Sequence, residues 1–276
     1  MGGFMKLYIS VDMEGVWGLT SWKESGDKIS KYMTNELNLV IKLVKKYAKD
    51  TTIVVSDSHA QGDNILVEAL PEDITLIRGF PRTYYMLEGI DNSFDGCFFI
   101  GYHAPIGIFP GQMDHSYSAS TFYEVTINGK VTGEAEINGL LAGYHHVPVL
   151  LISGDDVLSS FSSKNFPSTQ FVITKKALSR YSAELIPYGQ LVQRYESAIE
   201  RALHSIGKVK PLEITPPFTI ELELIDTSSA FLISQIPGTT LLSGRKVSYS
   251  SSNFVDIYKF LSVASNMGWI NRNLLK

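Results

Sequence analysis

The sequence carries a single cysteine, Cys97, among its 276 residues. One thiol cannot close an internal disulfide, and a cysteine-rich zinc site is excluded with it. Cys97 lies in the apolar run G-C-F-F-I-G, which marks it as a small core residue. Excess basic charge is also missing. Lys and Arg number 24 against 28 Asp and Glu, a formal net charge of -4, so the footprint of a nucleic-acid binder is absent. No apolar run reaches the roughly 20 residues of a membrane span. The N-terminus M-G-G-F-M-K lacks the charged start and apolar core of a signal peptide, and Lys6 stands where a myristoylation signal has Ser or Thr. Met5 is a candidate ancestral start, and the expected location is the cytoplasm. Repeats, heptads and the glycine-rich loops that cradle nucleotide phosphates are missing too. What is left is the composition of an ordinary globular chain, long enough for one large or two smaller domains.

Within that chain, apolar runs alternate with helical periodicity. Residues 6–12 read as a first strand. Met33, Leu37, Val40, Ile41, Val44 and Ala48 recur at helical spacing and predict a helix over 31–49. The β-branched run T-T-I-V-V-S predicts a buried strand ending at D-S-H (57–59), and strands follow at 74–77 and 96–101. A Pro/Gly-rich loop over 105–118 carries His115. Residues 121–132 read as a hairpin turning at Asn128-Gly129, then a helix over 134–145 and a strand over 147–153. Past residue 180 a polar helix is expected at 188–205, a linker at 208–217, a half-wet strand at T-I-E-L-E-L, and a last helix at 252–266. The fold class this predicts is α/β: a mostly parallel sheet flanked by helices, with a smaller C-terminal α+β portion. The expected division is a catalytic unit over 1–180 and a smaller unit over 181–276.

Polar groups gather where the strands end. The stretch I-S-V-D-M-E-G puts Asp12 and Glu14 at the end of the first strand. In extended chain, residues two apart share a face, so the two carboxylates are expected side by side. Like charges so placed repel unless a cation separates them; the plain alternative is a solvated strand end before a glycine turn. His59 follows the second strand and His103 the fourth, and the carboxyl edge of a parallel sheet is where such residues converge. Each histidine taken alone also reads as structural. Glu134 adds a carboxylate at a helix start, where it also complements the helix dipole. Asp57 either orients His59 or caps the next segment. His145, His146 and His204 are read as outside the site. Two imidazoles and three carboxylates exceed what one tetrahedral zinc with an open position takes, and suit two metals. Such centres hydrolyse amides, esters or phosphates, and His115, off the metals, is suited to move a proton.

The motifs S-V-D-M-E-G, S-D-S-H, G-Y-H-A, M-x-H-S and G-E-x-x-x-N-x-x-x-A-G-Y occur in this order. The chain in this respect resembles the zinc-dependent D-aminopeptidase family, and V-P-V-L-L-I-S-G-D-D, K-P-L and I-P-G-T extend the likeness from Met5 onward. The resemblance implies that Asp12 bridges two zinc ions, that Glu14 and His103 complete one, and that His59 and Glu134 complete the other. It gives His115 the catalytic role as nucleophile; a general acid or base role agrees better with water as the attacking group. It also implies a self-compartmentalising homo-oligomer, a decamer; that neither nucleic acid nor membrane is a partner is the expectation from charge and hydropathy. Asp114 departs from the family pattern, and a carboxylate beside His115 is expected to raise its pKa. The function expected is a dinuclear zinc aminopeptidase removing N-terminal residues, D-residues among them, from short peptides. The alternatives are an amidohydrolase on a non-peptide small molecule and a non-catalytic metal- or peptide-binding relative.

Overall fold

The structure is a computed structural model and describes residues 5–274. A first sheet contains β1 (Lys6–Val11), β2 (Thr52–Asp57), β3 (Ile74–Ile77), β4 (Gly96–Ile100), β7 (Val149–Asp155), β8 (Gln170–Ser179) and β9 (Ser182–Leu185), in the order β3-β2-β1-β4-β7-β8-β9. All neighbours run parallel except β8 and β9. The second sheet is antiparallel. It contains β5 (Phe122–Ile127), β6 (Lys130–Val131), β10 (Phe218–Leu224), β11 (Thr240–Ser243) and β12 (Lys246–Ser251), in the order β11-β12-β10-β5-β6.

Period-two alternation assigns the faces of the first sheet. Leu7, Ile9 and Val11 of β1, with Phe98 and Ile100 of β4, pack against α1 (Gly26–Tyr47) and α4 (Tyr188–His204). Tyr8 of β1, with Cys97 and Phe99 of β4, faces the other way, into a core shared with the second sheet, α2 (Glu134–Tyr144) and α6 (Phe254–Leu274). Both faces are covered, as a parallel sheet requires. The two short helices are α3 (Asp156–Ser162) and α5 (Thr227–Ser234).

Several elements differ from expectation. α1 begins at Gly26, because the Ser25 side chain caps its first turn. α6 runs to Leu274 without the earlier stop. α3, β8, β9 and α5 were not expected; β8 ends in T-K-K-A-L-S, whose lysines mask a buried strand. The sheets do not divide at residue 180. The 122–131 hairpin pairs with β10, whereas β9 pairs with β8, and α4 buries its apolar face against the first sheet. Sheet membership follows register, which linear order along the chain does not encode. No helix among the described residues is long and apolar enough to cross a membrane.

Candidate active site

The first sheet reverses its build direction beside β1. From β1 the chain adds β2 and β3 on one side, then returns to place β4 on the other. In open α/β sheets, ligands bind outside the carboxyl ends of the strands at such a switch point. Asp12 and Glu14 leave β1 there, and His103 leaves β4 three residues past its end. The two carboxylates do not meet by strand alternation, because β1 stops at Val11 and the chain turns over residues 13–15. The turn is pressed against the end of β4: Asp12 N donates to Ile100 O at 2.8 Å and Gly15 N to Gly101 O at 2.6 Å. Gly15 is required here, since a Cβ would lie 1.9 Å from the Tyr102 carbonyl oxygen.

All six residues singled out in the sequence come to this place. Donor atoms of Asp12, Glu14 and His103 lie within 4.8 Å of one another, as do those of His103, His115 and Glu134. His103 Nε2 is 3.6 Å from Asp12 Oδ2 and 3.3 Å from Glu134 Oε1. His59 Nε2 is 3.6 Å from Glu14 Oε1. His115 Nε2 lies 3.9 Å from Glu14 Oε1 and 3.6 Å from Glu134 Oε1. The three carboxylates are each no more than 4% exposed, so water does not screen their mutual repulsion.

The imidazoles all face inward by the same nitrogen. His103 Nδ1 is 2.9 Å from Ala104 O, His115 Nδ1 is 3.0 Å from Met113 O, and His59 Nδ1 is 3.2 Å from Asn64 Oδ1. Each acceptor fixes a proton on Nδ1 and leaves the Nε2 lone pair toward the carboxylates. Asp57 makes no hydrogen bond to His59. It accepts from Asn64 N, Asn64 Nδ2 and Ile65 N, so it shapes the loop that presents Asn64 to the ring. Trp22 Nε1 donates to Glu14 Oε1 at 2.5 Å and Tyr117 N to Glu134 Oε1 at 2.6 Å. Glu136 reaches back to Gly133 N and caps α2, away from the cluster.

Burial, and then Glu14, pushes the Asp12 carboxyl well above its ordinary range. Glu14 is itself pushed up by burial, but His59 and His115 outweigh this and hold it low. Burial, and then His103, lowers His115. The expectation that Asp114 would raise it is not met, because Asp114 turns away to Arg180 Nε at 3.2 Å and to Gly107 N at 2.7 Å.

The residues fit a metal. Asp12 Oδ2, Glu14 Oε2 and His103 Nε2 are buried and lack any hydrogen-bond partner, a costly state unless a cation completes it. Beside them opens a cavity of about 800 Å³. Asp12, Glu14, His59, His115 and Glu134 line its floor, with Phe80, Tyr85 and the α6 residues Ser262, Asn266, Trp269 and Ile270 above. Sequence reading missed the α6 wall and the Trp22 contact, since neither follows a strand end. Acids and imidazoles that only cations reconcile, next to a pocket of substrate size, describe the class of metal-dependent hydrolases.

The chain belongs to the D-aminopeptidase family, whose model matches residues 5–263. The D-aminopeptidase of Bacillus subtilis (strain 168) is 32% identical over 274 residues, spanning 95% of this chain and 97% of that protein. The solved structure of the Zn-dependent D-aminopeptidase DppA from Bacillus subtilis, described as a self-compartmentalizing protease, superposes with a TM-score of 0.91 at 30% identity, over 96% of this chain and 98% of that one. Mostly parallel sheet and flanking helices are thus the fold of a zinc-dependent aminopeptidase relative.

Proposed function

We propose that this chain is a dinuclear zinc aminopeptidase that releases the N-terminal residue, D-residues included, from short peptides. The observation that carries it is the set of orphaned, buried donor atoms on Asp12, Glu14 and His103 facing the open cavity. In this reading Asp12, Glu14, His59, His103 and Glu134 would hold the two zinc ions, with Asp12 at the centre of the group. The chemistry zinc supplies when bound is Lewis-acid polarisation of the scissile carbonyl and activation of water near neutral pH. The chain's own residues do the rest. Trp22 and the Tyr117 amide hold the Glu14 and Glu134 carboxylates in place. His115 keeps its Nδ1 proton on Met113 O, so Nε2 takes a proton from the attacking water and returns it to the leaving amine.

Assembly as a decamer enclosing the active sites, and a cytoplasmic location, belong to the same proposal. An enclosing assembly is supported by the description of the Bacillus subtilis relative as self-compartmentalizing.

The test is metal analysis of purified protein beside Asp12→Ala, with activity on D-Ala and L-Ala p-nitroanilides and their N-acetylated forms. The expected result is about two zinc equivalents per chain, most of them lost in the variant, and cleavage only of substrates with a free amine. Equal cleavage of the N-blocked substrates would point to a general amidohydrolase instead.

A further inference from the structure

Asn138 occupies the last fixed place of the pattern G-E-x-x-x-N and has no part in the chemistry above. It lies one helical turn after Glu134 on α2 and is fully buried. Its amide is saturated. Oδ1 accepts from the Tyr117 hydroxyl at 3.0 Å and the Tyr258 hydroxyl at 2.8 Å; Nδ2 donates to Tyr102 Oη at 3.0 Å and to Met86 Sδ at 3.0 Å. The network continues from Tyr102 Oη to Ser10 Oγ at 2.7 Å, and from there to Ser58 Oγ at 2.7 Å.

The chain positions of these partners give the network its meaning. Ser10 stands two residues before Asp12, Ser58 directly before His59, and Tyr102 directly before His103. Tyr117 stands two residues after His115, and its backbone amide holds Glu134. Every segment that delivers a member of the cluster therefore also delivers a side chain to one buried network. Tyr258 adds α6, the helix that walls the cavity.

We infer that Asn138 is a positioning residue that holds the metal-binding side chains in place before and after zinc arrives, an inference that rests on the zinc reading above. Three buried carboxylates repel one another, so gathering the cluster without a cation is costly. A network of neutral, fully satisfied groups beneath it holds the segments together without adding charge, and satisfied buried networks specify a single geometry. Partners behind metal ligands typically set affinity by about ten- to a hundred-fold.

The experiment compares wild type with Asn138→Leu and Tyr102→Phe by zinc titration of chelator-stripped protein, together with kcat, KM and thermal midpoint. Leucine keeps the branched shape, though not the volume, and removes all four hydrogen bonds. Tyr102→Phe removes one oxygen and cuts the link between α2 and β1. It keeps the ring, which stacks on Phe99 with centroids 4.7 Å apart, so this variant decides the matter even where the leucine variant does not fold. The expected result is zinc affinity weakened about ten-fold or more, with kcat falling while KM stays within about two-fold. Zinc affinity equal to wild type in folded Tyr102→Phe, with only the thermal midpoint lowered, would overturn the inference and leave a packing role. If wild type itself takes up no zinc, the zinc reading fails instead.

Discussion

His103 and His115 stack face to face, with ring centroids 4.1 Å apart and planes 9° from parallel. The two rings differ in surroundings. His103 is buried with Asp12 and Glu134 nearest its Nε2, whereas His115 lines the open cavity. Stacking fixes the His115 ring plane without engaging its Nε2. His115→Ala is therefore expected to lower kcat by about a hundred-fold or more while keeping both zinc equivalents. Metal analysis beside steady-state kinetics checks this; loss of one equivalent would make His115 a ligand, as its proximity to His103 and Glu134 allows.

Lys175, on β8, is fully buried, and its ammonium is spent on the loop that carries Glu14. Nζ donates to the carbonyls of Glu14 at 2.7 Å, Val16 at 2.9 Å and Leu19 at 2.5 Å. The loop has no ladder of its own, so these bonds satisfy backbone that water cannot reach. Lys175→Met takes a donor from three carbonyls and leaves Val16 O only the long bond from Leu19 N at 3.4 Å, and a loss of about 3–5 kcal/mol is expected. Urea denaturation measures it; a change below about 1 kcal/mol would mean that water replaces the ammonium.

Glu36 accepts from Trp17 N at 2.7 Å and from the Tyr195 hydroxyl at 2.5 Å on the other face of the same loop. Burial pushes its carboxyl from 4.5 up to about 7. Between those two values the folded protein holds a proton that the unfolded chain has released, so stability falls as pH rises through this window. Above it the cost persists, at most about 3 kcal/mol. Glu36→Gln cannot ionise. Its stability advantage over wild type should grow from pH 5 to pH 8, and unfolding curves that stay parallel across that range would rule out the effect.

Trp269 is 56% exposed on α6 at the cavity's rim. A large apolar side chain there is placed to cover bound substrate, contributing equally before and during the reaction. Trp269→Ala should raise KM about five-fold, near 1 kcal/mol, and leave kcat nearly unchanged. Initial-rate kinetics on a tripeptide decide it, and a fall in kcat alone would assign the residue another role.

Much of the site was legible in the sequence. An apolar run that ends in D-M-E-G, S-H or G-Y-H places its polar residues at a strand's carboxyl end, and parallel strands share that edge. Local periodicity carries this information, which is why Asp12, Glu14, His59 and His103 could be named, with Glu134 at the head of its helix. The pairing of β1 between β2 and β4, which makes the three strand ends neighbours, comes from long-range register. So do the Lys175 clamp reaching 161 residues along the chain, the α6 wall, and the Asn138 network. These groups sit on elements remote in sequence, and their chemistry appears only when burial removes water and leaves each polar atom the few partners the fold supplies.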